Sequence, residues 1–172
     1  MFYVFFSPSC QQLCFLQIFD AMSVTAIRLK QERFLSASHF AVVGASQDLS
    51  KRASKVLGWY RDKHMNVTLV HPREKQLYGV DTVPSLYSLP SPTTTAISIS
   101  TVPFITLSLL KQARSMSVFS IWIQPGACDF SVIRYIEEND LYEKVIWGGP
   151  CILKEGDEIV RDKWFRETHG QL

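Results

Sequence analysis

Residues 40–46 read FAVVGAS, an apolar run closed by a glycine and two small residues, and Lys51, Arg52 and Lys55 follow where a helical pattern begins. That order suits a phosphate. Gly44 allows a tight turn, Ala45 and Ser46 keep bulk away, and backbone amides at a helix start point toward an anion. The pattern departs from Gly-x-Gly-x-x-Gly, since the next glycine is Gly58, so alone it does not say which phosphate. The following apolar strand ends in LVHPREK. An NAD site places Asp or Glu at such a strand end, about 20 residues on, to pair with ribose hydroxyls. Here His71, Pro72 and Arg73 stand instead, and a basic group suits a phosphorylated ribose, as in NADP and coenzyme A.

The elements that must position these residues alternate. FAVVG (40–44), VTLV (67–70), TAISIS (95–100), VFSIWIQ (118–124) and KVIW (144–147) read as strands. A leading amphipathic helix is expected over 24–35 and a second over 51–64, the latter with Ala53, Val56, Leu57, Tyr60 and His64 on one face. A third begins at Pro103, a residue suited to a first helical turn. A fourth is capped by Asp129, with Val132, Ile133 and Ile136 turned inward. Residues 80–92, rich in Pro and Ser-Pro, read as a short crossing segment with turns.

Near-continuous apolar strands alternating with helices imply an α/β fold: a doubly wound, mostly parallel sheet in a Rossmann-like three-layer sandwich. Ligands of such sheets bind beyond the carboxyl ends of the strands, where strand order reverses. Five clusters fall at those ends: Gly44–Ser46, His71–Arg73, Ser100–Thr101–Val102–Pro103, Gln124–Pro125–Gly126, and Gly149–Cys151.

Composition sets bounds on function. The 172 residues suit one domain, with charged residues at 20%. A net charge of +2, a sequence pI near 8.3 and scattered basic residues argue against nucleic acid. Four cysteines without a Cys-x-x-Cys pair indicate neither zinc nor a disulfide framework, and a reducing, cytoplasmic setting is expected, with mitochondria as the weaker alternative. Residues 1–22 are apolar but hold no Lys or Arg, and Ser-Pro, Gln-Gln and Asp20 interrupt them. They are expected to be a poorly ordered extension rather than a signal or a stable membrane insertion, and Met22-Ser23 would make an ordinary beginning. Boundaries are placed at 1–22 for the extension, 23–37 for the leading helix, 38–158 for the domain and 159–172 for a tail.

With these clusters in hand, the chain resembles the CoA-binding domain family, the Rossmann-type domain also found at the N-terminus of succinyl-CoA synthetase α subunits. VVGAS, VHP, SLYSLP, SISTVPFIT, VFSIWIQPGACD and GGPCILKEGDE match in order over about residues 38–158. The resemblance implies that Gly44–Ser46 meets the CoA phosphates, where Lys51, Arg52 or Lys55 could add a charge, and that His71, Pro72 and Arg73 border the adenosine and its 3′-phosphate. It also implies that Ser100 to Pro103 line the groove, with Gln124, Pro125, Gly126 and Cys151 nearby. Two positions depart from the family: Ala53 stands where glycine is usual, and Glu74 where the ligase subunits carry lysine.

Chemistry beyond binding finds few carriers. Cys151 is the best-placed nucleophile, though a free cysteine usually serves as a small packing residue. His39 and His64 read as structural, His169 as part of a polar tail, and 155–158 (EGDE) as a solvated turn. No catalytic residue and no metal ligand is assigned. The expected function is binding of CoA or an acyl-CoA, a small-molecule nucleotide, without catalysis. An NADP-linked oxidoreductase and a subunit of an acyl-CoA ligase completed by another chain are the alternatives, and a homodimer stays open.

Overall fold

In the structure, a computed structural model, residues 24–170 are described. The reading of residues 1–22 lies outside them. After α1 (24–34) come β1 (His39–Val43), α2 (Arg52–Asp62), β2 (Val67–Val70), β3 (Gln76–Leu77), β4 (Val80–Val83), β5 (Thr95–Ile99), α3 (Pro103–Ser115), β6 (Ser120–Ile123), α4 (Phe130–Glu138), β7 (Val145–Ile146) and α5 (Ile152–His169). The seven strands form one sheet in the order β3-β4-β2-β1-β5-β6-β7. Every neighbouring pair is parallel except β3 with β4.

Strand side chains alternate between two cores, as the two-residue period requires. Ala41, Val43, Ile97, Ile99, Ile121 and Ile123 pack with Leu109, Leu110 and Ala113 of α3 and with Val132 and Ile136 of α4. Phe40, Val42, Leu69, Ala96, Trp122 and Ile146 pack on the opposite face with Phe34 of α1, Val56, Leu57 and Tyr60 of α2, and Ile152 and Ile159 of α5. The result is a three-layer α/β sandwich, as the strand and helix pattern predicts. Tyr60 is wholly buried, and its hydroxyl is matched by Ser98 Oγ at 2.8 Å, which spares the core an unpaired polar group. Helix α5 can lie against α2 because Gly156 presents only hydrogen to Trp59; a Cβ there would come within 2.5 Å of the indole ring.

Three expectations are corrected. Residues 80–83 are not a turn-rich crossing but strand β4, which pairs with β2 through Leu69–Thr82 and Val70–Val83. Residues 155–158 are not a turn but lie inside α5, which continues through the segment read as a tail to His169. His64 does not share the buried face of α2; it follows the helix with φ +54° and is exposed. The helix at Pro103 and the Asp129 cap stand as expected, the Asp129 carboxylate accepting from the Val132 amide.

β1 is followed by α2 on one face and β5 by α3 on the other. Strand order therefore reverses between β1 and β5, and their carboxyl ends must splay into a crevice.

Candidate functional site

The turn after β1 is set by close approach. Gly44 has φ +98°, and a Cβ there would lie 2.6 Å from the carbonyl oxygen of Ser100, on the neighbouring strand end. Only glycine meets both conditions. Beyond it, the amides of Ala45, Ser46 and Gln47 make no hydrogen bond among the described residues. The first turn of α2 has no side-chain cap and no acidic residue. Unpaired amides and an open helix start together favour an anion.

A cleft of about 720 Å³ opens at this point. Gly44, Ala45, Ser46 and Lys51 line one side, His71, Pro72 and Arg73 a second, and Ser100, Thr101 and Val102 the base of α3. Lys51 and Arg73, from the segments after β1 and β2, both line the cleft, and neither enters a salt bridge with a described residue. Ser100 Oγ is buried in this crevice without a hydrogen-bond partner among the described residues. Thr101 is held in place, its Oγ1 lying 2.9 Å from Thr106 Oγ1. His71 Nδ1 accepts from the Glu74 amide at 2.8 Å and, less closely, from the Arg73 amide at 3.3 Å. In the neutral ring this leaves the proton on Nε2, which makes His71 a donor rather than a base.

The sequence did not point to the rest of the lining. Pro84, Ser85 and Leu86 come from the end of β4, and Ile105, Ser108, Leu109 and Gln112 from one stripe of α3. The α3 stripe has the spacing of a helix face, a signal that was available. The β4 contribution was hidden because that strand was not expected.

The remaining candidates lie apart from the cleft lining. Pro103 occupies the first turn of α3. Gln124 is fully buried, and its Oε1 accepts from the Ile152 amide at 3.3 Å, which places it under the start of α5. Pro125 and Gly126 form the turn after β6, with Gly126 at φ +89°. Cys151 is buried at the N-cap of α5, with Arg52 Nη1 at 3.7 Å from its sulfur. Among the described residues, no group of three or more His, Cys, Asp or Glu could hold a metal ion, and no helix is long and apolar enough to cross a membrane.

Comparison with known proteins gives consistent findings. A family model described as a CoA binding domain matches residues 38–157. No curated protein matches the chain. Among solved structures, a conserved hypothetical protein from Pyrococcus furiosus is 26% identical with a TM-score of 0.61, covering 68% of this chain and 97% of its own. A hypothetical protein from Pyrococcus horikoshii is 18% identical with a TM-score of 0.66, covering 78% of this chain and 92% of its own. A Thermus thermophilus structure is 22% identical with a TM-score of 0.62, over 74% and 93%. The two likenesses under 25% identity speak to the fold alone.

Proposed function

Because the chain belongs to the CoA-binding domain family, we propose that its cleft between β1 and β5 holds CoA or an acyl-CoA and that the chain binds this ligand without transforming it. The observation that carries the reading is the run of unpaired amides at Ala45–Gln47, at a cleft that Lys51 and Arg73 also line. CoA has two separated phosphate groups, a pyrophosphate and a 3′-phosphate. In this reading the amides and Lys51 take the pyrophosphate, and Arg73 takes the 3′-phosphate. The Ser100 hydroxyl and the apolar side chains Leu86, Ile105 and Leu109 suit the rest of the nucleotide. His71 borders the ligand as a hydrogen-bond donor, which supports binding over proton abstraction.

Thermal stabilisation by CoA, acetyl-CoA, NAD, NADP and ATP tests the reading. A ligand at 100 times its Kd adds about 2.7 kcal/mol, a rise of several degrees for a chain of this size. CoA and acetyl-CoA should both give it and NAD little. A larger shift with NADP than with CoA would overturn the assignment.

A further inference from the structure

Tyr78 is an odd residue for its place. It and Gly79 are the two central residues between β3 and β4, with φ +54° and +73°. Two positive φ values in a two-residue hairpin suit Asn-Gly or Gly-Gly, and a bulky aromatic there is strained. Strain of this kind is kept where the side chain has other work.

The side chain reaches the phosphate turn. Its hydroxyl donates to the carbonyl of Ser46 and lies 3.0 Å from Ser54 Oγ. Ser54 Oγ in turn donates to the carbonyls of Ser46 at 3.1 Å and Asp48 at 2.9 Å. The Tyr78 hydroxyl therefore holds the Ser46 carbonyl, Ser54 Oγ shares its one proton between this carbonyl and that of Asp48, and neither Tyr78 nor Ser54 lines the cleft. In a planar trans peptide the C=O and the following N–H point in opposite directions, and every described peptide is trans. Fixing the Ser46 carbonyl thus fixes the Gln47 amide facing the other way.

We propose that Tyr78, together with Ser54, is a positioning residue: it clasps the Ser46 carbonyl so that the amides of the turn are preset to receive a pyrophosphate. This deepens the proposed function and rests on it for the identity of the ligand, but the orientation of the turn does not. Without the clasp the Ser46–Gln47 peptide is free to rotate, and an anion must order it on binding, which weakens affinity.

Tyr78→Phe keeps the ring, its packing and the hairpin, and removes only the hydroxyl. The test compares the full chain with Tyr78→Phe and Ser54→Ala by calorimetry against ADP and adenosine, and by amide NMR against inorganic pyrophosphate at millimolar concentration. The clasp predicts that ADP binds Tyr78→Phe five- to tenfold more weakly while adenosine stays within twofold, because the two ligands differ only in the pyrophosphate. It also predicts that pyrophosphate shifts the Ser46 and Gln47 amides of the unsubstituted chain and shifts them less in both variants. Equal losses for ADP and adenosine, or an unchanged amide response in Tyr78→Phe, would overturn it. Failure of CoA to bind, with the amide response intact and hydroxyl-dependent, would end the CoA reading and leave the clasp standing. Amides indifferent to pyrophosphate in the unsubstituted chain would end the clasp even if CoA bound.

Discussion

The carboxyl edge of the sheet has two halves that differ in what they do with their backbone donors. At the β1–β5 crevice the amides of Ala45, Ser46 and Gln47 have no partner among the described residues, and α2 begins without a cap. At the β6–β7 end several donors at the helix starts are instead taken by side chains of the chain itself. Asp129 accepts from the Val132 amide at 3.0 Å at the start of α4. Gln124 Oε1 takes the Ile152 amide, and Glu155 Oε1 takes the Cys151 amide at 3.1 Å, so two donors at the start of α5 are taken and a carboxylate stands in its first turn. A strand-end position therefore does not by itself make a site. In the proposed reading, unpaired donors where the strands diverge are what distinguish the β1–β5 crevice.

The sharpest way to break this contrast uses two glycines, one in each half. Gly44→Val should lose CoA affinity by at least about a hundredfold and destabilise the fold by at least about 2 kcal/mol, since both φ and the Ser100 carbonyl oppose a side chain. Gly126→Ala also sits at positive φ, but no atom lies within 4 Å of its added Cβ. It should cost about 1 kcal/mol in denaturant melts and leave CoA binding unchanged. If both weaken binding alike, the division into two halves fails.

Arg73→Ala sharpens the ligand side. Loss of a charge-assisted contact worth roughly 1.5–3 kcal/mol should weaken CoA by about ten- to a hundredfold and 3′-dephospho-CoA hardly at all. Titration of both ligands checks this, and identical losses would remove Arg73 from the 3′-phosphate.

The smallest effect belongs to the self-capped half. Hydrogen bonds from the Ser131 hydroxyl and the Val132 amide hold the Asp129 carboxyl below the usual carboxylate range. A group whose folded-state pKa is depressed contributes stability above its unfolded pKa, near 3.9, and loses it as pH falls through the folded value. Asp129→Asn keeps a cap but should flatten the part of the acid-side decline in Tm that comes from this carboxyl. Asp129→Ala should lower Tm at neutral pH by roughly 2–4 °C. Neither should alter CoA affinity, as melting curves from pH 3 to 7 beside calorimetry would show.

Much of the fold was legible because its signals are local. Apolar runs at 40–44, 67–70 and 95–100, Pro103 at a helix start and Asp129 as a cap depend on neighbours a few residues away. Strands β3 and β4 were not legible. β3 is only two residues long, and β4 reads VDTV, with Asp81 and Thr82 breaking the apolar run that marks the other strands, so β4 owes its conformation to pairing with β2. The turn between them is no more legible, because tyrosine is not a turn residue and its hydroxyl contact with Ser46 spans 32 positions of the chain.

What the sequence determined by itself was the alternation of elements, the glycine turn and the basic groups at strand ends, together with the family they resemble. Which of five strand-end clusters share one cleft was decided only by tertiary structure. Strand order places Gly44–Ser46, His71–Arg73 and Ser100–Val102 just beyond the neighbouring strands β1, β2 and β5, and it leaves Gln124 and Cys151 at the start of α5. Adjacency in a parallel sheet is a non-local property: each crossover joins residues tens of positions apart, and no short window of sequence records which edges will meet.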